Sequence, residues 1–316
     1  MNSYINALSS ISVIVILILL ISTLRYFKLL KKEDGVLFSK IVTHITLPAV
    51  IFTVLSQSKA LEWEYVLVVV LVLAVESILL FIAWVIGKHM GIERAKLGVL
   101  MLVSAFGSSA LLGYAIIGQL FPSNIKALSE AVLISELGVG MGIFTLGTMV
   151  AIYFGSGTLE KQSPLQSIIL FIKSPIFMAT FVGLGYSALH LPTQIPVIQE
   201  LFEALDLIAK SNTFFIALTV GVLLEFKDIR SILSLVFIVI LLKLVLSPIL
   251  LWMCVASINL TSWQLEIILL EAAMPSAMLS VVLAQKYGCD AQLASKLVFI
   301  TTLFSVFSTT VLIGFL

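Results

Sequence analysis

Four ionisable side chains stand where apolar neighbours leave them no water. Glu76 sits at the middle of the run Tyr65–Gly87 and Lys243 at the middle of Ser231–Ala256. Glu271 lies four residues before Pro275, and Glu136 precedes a stripe of Gly138, Gly140 and Gly142. A charge held in hydrocarbon costs about 2.5–3.5 kcal/mol on insertion scales, so such residues are candidates for chemistry. Glu76 and Lys243 have opposite sign and comparable depth, and an ion pair between them would cancel two penalties; a purely structural pair is the alternative. Glu271 is a candidate proton carrier or sodium ligand, or a carboxylic acid held neutral by nearby hydroxyls. Glu136 is a weaker candidate for the same work, because glycine stripes also serve tight helix packing. Asp206 and Lys210, four apart on one helix face, can neutralise each other.

The second chemical signal is a set of helix breakers inside apolar runs. Leu102–Phe121 reads LVSAFGSSALLGYAIIGQLF and Leu269–Gly288 reads LLEAAMPSAMLSVVLAQKYG. Laid together without gaps they match at Leu102/Leu269, Ala105/Ala272, Ser109/Ser276, Ala110/Ala277 and Leu112/Leu279. Pro275 removes a backbone donor and clashes with the preceding turn. Gly107 and Gly113, around Ser108 and Ser109, weaken the other segment at the equivalent place. The alternative is a simple kink with close packing at the glycines. A true break would leave half-helices starting at Ser109 and Ser276, whose free N–H groups and positive dipole ends suit an anion such as a carboxylate. Gly107, Ser108, Ser109, Gly113, Tyr114, Pro275 and Ser276 form the expected binding set.

These residues need elements to hold them, and composition decides which. Of 316 residues 60% are hydrophobic and 11% charged, less than half the charged share of a soluble domain. The chain is therefore read as an all-α polytopic membrane protein. Ten apolar runs are long enough to span about 30 Å of hydrocarbon as helices: Tyr4–Leu24, Val36–Ser56, Tyr65–Gly87, Leu97–Phe121, Ala131–Phe154, Ser167–Leu189, Glu203–Leu224, Ser231–Ala256, Leu265–Ala284 and Ala294–Leu316. The first lacks a preceding basic stretch and a small-residue cleavage site, so it reads as a span and not a signal peptide. With both termini outside, the inner loops hold 13 of the 18 lysines and arginines and the outer loops only Lys59 and Lys126, which sets the expected orientation in a cytoplasmic membrane. The polar stretch Gly155–Gln166 divides the spans five and five: residues 1–155 form one repeat, 156–166 a cytoplasmic connector, and 167–316 a second repeat. Because five is odd, the second repeat is inverted, and spans four and nine become its broken pair.

Inverted repeats with discontinuous helices near the midplane are the architecture of many secondary transporters. The expected function is a carrier for a small organic anion working by alternating access and not an enzyme, a membrane-embedded enzyme being the distant alternative. There is no HExxH, no GxSxG and no pair of intramembrane aspartates. Cys254 and Cys289 show neither metal spacing nor a disulfide framework, His44, His89 and His190 are scattered, and a net charge of +1 argues against nucleic acid. No resident cofactor is expected, the lipid bilayer being the main partner.

The Lys243–Pro248 pattern, with Ala272-Ala273-Met274-Pro275-Ser276-Ala277, Ala284 and Tyr287-Gly288, resembles the auxin efflux carrier family, whose bacterial members include transporters of malonate and related acids. The resemblance implies a scaffold and homodimer interface from spans one, two, six and seven. It also implies a mobile core from spans three to five and eight to ten, in which spans four and nine cross, holding Glu76, Glu136, Lys243 and Glu271. The fold is similar, too, to that of sodium–bile acid symporters, which implies a sodium site at Glu271 and makes a sodium-coupled anion symporter the second reading. Span four departs from the family pattern: Ser108 and Ala115 stand where an asparagine and a proline are usual.

Overall fold

The structure, a computed structural model, describes residues 13, 16–57, 63–155, 169, 172–192, 195–223 and 232–315. The connector 156–166, the start of the first expected span, and Lys59, Lys161, Lys227 and Arg230 lie outside the described residues. Apart from one isolated antiparallel bridge, the secondary structure described is helical. The elements are α1 (Ile16–Tyr26), α2 (Lys32–Ile41), α3 (Leu47–Gln57), α4 (Trp63–His89) and α5 (Arg94–Ala105). They continue as α6 (Ser109–Leu120) and α7 (Ile125–Phe154), then α8 (Pro175–Ala188), α9 (Pro196–Lys210) and α10 (Asn212–Leu223). The last four are α11 (Leu233–Val255), α12 (Ser262–Ala272), α13 (Leu279–Tyr287) and α14 (Ala291–Phe315).

Among the described residues, four segments are long and apolar enough to cross a bilayer unaided: Val66–His89, Ile125–Phe154, Leu233–Val255 and Ala291–Phe315. Their outward faces carry large apolar side chains, among them Phe81, Phe237, Trp252, Met253 and Phe307, while Glu76, Glu136, Lys243 and Glu271 are buried. That distribution inverts the usual soluble arrangement of charge outside and carbon inside. The chain is a multi-pass membrane protein.

Two departures from the sequence reading fall in the seventh expected span. The seventh expected span begins earlier, at Pro196, where proline occupies the first helical turn that needs no N–H. It is also interrupted at Ser211, and Asn212 resumes the helix with its side chain accepting a buried hydrogen bond from Thr46 (2.7 Å). Asp206 and Lys210 do pair, at 2.6 Å, on the exposed face of α9.

Wide π-turns recur where the regular ladder is disturbed. Val42–Thr46 precedes Pro48 and Ile240–Leu246 precedes Pro248; each proline lacks the N–H that the carbonyl four residues earlier would have received. In α7 two further π-turns, Ile134–Gly140 and Ile143–Gly147, straddle the glycine stripe.

The chain forms two compact units. One comprises Met1–Glu62, Ala110–Val132 and Ile172–Leu224; the other comprises Trp63–Ser109, Leu133–Phe171 and Glu225–Leu316. In the first, α3 packs on α8 and α9, with Phe52, Tyr186 and Phe202 clustered at ring-centroid distances of 5.6–5.9 Å. In the second, α4 packs on α5, α7 and α11, and α14 packs on α5 and α13.

Candidate functional site

Both suspect helices are interrupted. The helix α5 ends at Ala105 and the chain is extended at Phe106 (φ −95°, ψ 133°) before helical turns resume at Ser109. The helix α12 ends at Ala272, and α13 starts only at Leu279. The last residues of α5 and α12, Ala105 and Ala272, are the pair aligned by the gapless sequence match. Ser109 opens its half-helix as expected. Ser276 does not: it lies inside the unwound stretch, because Pro275 and the cross-strand contact at Ser276 delay the helix to Leu279.

The two unwound stretches run antiparallel across each other and pair. The Ser108 N–H donates to the Pro275 carbonyl (2.7 Å) and the Ala277 N–H donates to that of Phe106 (2.9 Å), forming the bridge Gly107↔Ser276. Breaking two helices orphans carbonyls that a membrane interior cannot hydrate, and side chains meet those of Leu102, Val103 and Ala272. The Ser276 hydroxyl donates to the Val103 carbonyl (2.6 Å) and Ser280 to Leu102 (3.4 Å), so serines of one broken segment cap the end of the other. The Ser276 N–H donates to Thr301 Oγ1 on α14 (3.3 Å). At the end of α12, the Ala272 carbonyl accepts from Lys243 Nζ (2.9 Å) and from the Ser247 hydroxyl (3.0 Å), both on α11.

Behind the bridge lies a cavity of about 20 Å³, lined by Val72, Val75, Glu76, Ala105, Ile134, Val139, Lys243, Ser247, Leu251, Glu271 and Ala272. That volume admits one water molecule and little more. Glu76 and Lys243 therefore share a chamber, but they form no direct ion pair: the ammonium is bonded to Ala272 and, at 3.4 Å, to Ser247. The oxygens of Glu76 and Glu271 have no partner in good hydrogen-bond geometry among the described residues, the buried Ser109 hydroxyl being the polar group beside Glu271. Lys243 and Glu136 lie within electrostatic range of Glu271. Two glycines make the packing feasible. A Cβ at Gly142 would fall 2.0 Å from Glu76 Oε2, and one at Gly107 would fall 3.1 Å from Lys243 Nζ.

Of the sequence-selected residues, Gly107, Ser108, Ser109, Pro275, Ser276, Glu76, Glu136, Lys243 and Glu271 belong to the second unit, whereas Gly113 and Tyr114 belong to the first. Tyr114 is buried there. Sequence reasoning passed over Ser247, Thr301, Ser280 and the buried Glu130. Ser247 could have been found, since it follows Lys243 by four residues on one helix face; Thr301 carries no such signal. Among the described residues no three His, Cys, Asp or Glu side chains converge to hold a metal ion.

A sequence profile described as Membrane transport protein matches residues 5–313. The chain belongs to that family. Uncharacterized transporters from two archaea are similar along nearly the whole length. One, from Methanocaldococcus jannaschii, is 27% identical over 299 residues, covering 93% of this chain and 94% of the relative. Another, from Methanothermobacter thermautotrophicus, is 25% identical over 296 residues, covering 93% of each. The family is that of the auxin efflux carriers and their relatives, as the run around Pro275 implied.

Proposed function

We propose that this member of the Membrane transport protein family is a secondary carrier of a small organic anion, with the crossing of the two interrupted helices as its binding region. The observation that carries the reading is the paired interruption itself. Two apolar helices give up regular bonding at matched positions, and the protein invests serines, a threonine and a lysine in stabilising the break. An uninterrupted packing helix needs none of this, whereas discontinuous helices at a midplane site are how many secondary transporters meet their solutes. The half-helix opening at Ser109 offers N–H groups and a positive dipole end to a carboxylate, and Ser108 is the neighbouring polar side chain.

The chain is read as ten spans in two inverted five-helix repeats, both termini outside in a cytoplasmic membrane. The helices α4 and α11, bearing Glu76 and Lys243, are the third span of each repeat; α5/α6 and α12/α13 are the fourth. The grouping of α1–α3 with α8–α10 in one compact unit supports a scaffold, which a second copy would extend into a dimer. Grouping α4, α5, α7 from Leu133 onward, α11 and α12–α14 in the other supports a core that moves in alternating access, although Ala110–Val132, in α6 and the start of α7, groups with the scaffold helices. Glu271 and Glu136 are the candidate coupling residues.

The test is counterflow in proteoliposomes preloaded with unlabelled mono- or dicarboxylate. Saturable uptake of the labelled acid, reduced at least tenfold in Gly107→Val, is expected. Uptake that rises linearly with concentration and ignores Gly107→Val would refute the assignment and indicate a pore.

A further inference from the structure

A sodium ion at Glu271 is what likeness to the bile acid symporter fold implies, and the residues present do not fit it. Sodium would need several convergent oxygens and no cation of the protein's own among them. The oxygens are here: two carboxyls without hydrogen-bond partners, Glu76 and Glu271, both buried, with the Ser247 hydroxyl and the helix-terminal Ala272 carbonyl. Lys243 is here as well. Its ammonium is bonded to the two neutral oxygens of the set, Ala272 O at 2.9 Å and Ser247 Oγ at 3.4 Å, and it lines the same 20 Å³ chamber as the carboxyls.

We propose that Lys243 is a tethered cation filling a latent alkali-metal site, and that this makes the carrier independent of sodium. Three features of the geometry carry this. The C-terminal carbonyl of a half-helix is a cation-seeking group, and here the ligand it receives is a covalently attached ammonium. Gly107 leaves no Cβ in the path of that ammonium, so the backbone of the opposing break is shaped around the lysine. Finally, the space remaining admits one water, which cannot also hold a hydrated or fully coordinated metal ion. The charged groups facing the chamber or near it, among the described residues, are Glu76 from α4, Glu136 from α7, Lys243 from α11 and Glu271 from α12. This inference deepens the reading of the crossing as the transport site. It concerns only the ion, so its failure leaves anion binding untouched and can be recognised separately.

The experiment is a thermal-unfolding titration of the detergent-purified full chain with NaCl, against KCl and choline chloride at matched ionic strength. The wild type should respond identically to all three salts. In Lys243→Met, which removes the charge while keeping the apolar stem, sodium should stabilise selectively. The melting temperature should rise by a constant increment per decade of concentration above the dissociation constant, and Glu271→Gln in that background should abolish the rise. A folded Lys243→Met that ignores sodium overturns the proposal. So does sodium-selective stabilisation of the wild type that Glu271→Gln removes, and that arm decides the matter even if Lys243→Met does not fold.

Discussion

Ser276→Ala isolates the contact that joins the two broken helices. The hydroxyl donates to the Val103 carbonyl at 2.6 Å, and Ser276 is fully buried. Removing it strands a carbonyl at the end of α5 where neither water nor a regular helix partner is available. An unsatisfied buried polar group costs about 1–3 kcal/mol. The bridge bonds from Ser108 N–H to Pro275 and from Ala277 N–H to Phe106 do not use the hydroxyl, and the Ser276 N–H keeps its Thr301 partner, so the loss is confined to the hydroxyl. Ser280→Ala is the internal control: its bond to Leu102 is 3.4 Å long, at the limit of useful hydrogen bonding, and its loss should cost under about 1 kcal/mol. For a chain of 316 residues the Ser276→Ala penalty corresponds to a melting shift of roughly 1.5–4.5 °C downward. Unfolding followed by a thiol-reactive dye suits the measurement, because the two cysteines include Cys289, buried until the fold opens. The reasoning fails if Ser276→Ala melts with the wild type, or if Ser280→Ala is the more damaging of the two.

Three other outcomes follow from the same geometry. Gly98→Ala would place a Cβ 2.7 Å from Phe154 Cβ, an atom fixed to the backbone, and overpacking of that kind should destabilise by about 1–3 kcal/mol; Gly118→Ala, where the added atom meets open space, should be near neutral by the same melting assay. Burial pushes the Cys289 thiol up to about 11, so native-state maleimide labelling at that position should stay slow from pH 7 to about pH 9, although an ordinary thiol is largely ionised by then. Rapid labelling across that range, monitored by mass spectrometry, would show the site to be open. Thr46→Val removes the donor to Asn212, one of the buried polar contacts of the first unit, and should lower stability by about 1–3 kcal/mol; an unchanged melting temperature would argue that Asn212 finds another partner.

The positions of the breaks were legible because their causes are local. Pro275 has no N–H to give and Gly107 no side chain to hold a helix, and the gapless match already aligned Ala105 with Ala272, the residues at which α5 and α12 end. The burial of Glu76, Lys243 and Glu271 was legible from their apolar surroundings. What the charges bond to was not. Opposite signs at equal depth pointed to a Glu76–Lys243 pair, yet the stranded Ala272 carbonyl takes the ammonium, and a carbonyl exists at every position, so it leaves no mark in the sequence. Ser276 illustrates the same limit. Its hydroxyl and N–H looked available for a guest, but both are committed to Val103 and Thr301, which become neighbours only after the segments cross.

The most direct test of the binding assignment is a thermal-shift panel of mono- and dicarboxylates on the purified protein, repeated with Ser109→Pro, which removes an N–H from the start of α6. Concentration-dependent stabilisation by at least one organic anion in the wild type, absent in Ser109→Pro, is the predicted result. Stabilisation by neutral solutes or cations and by no carboxylate would contradict it.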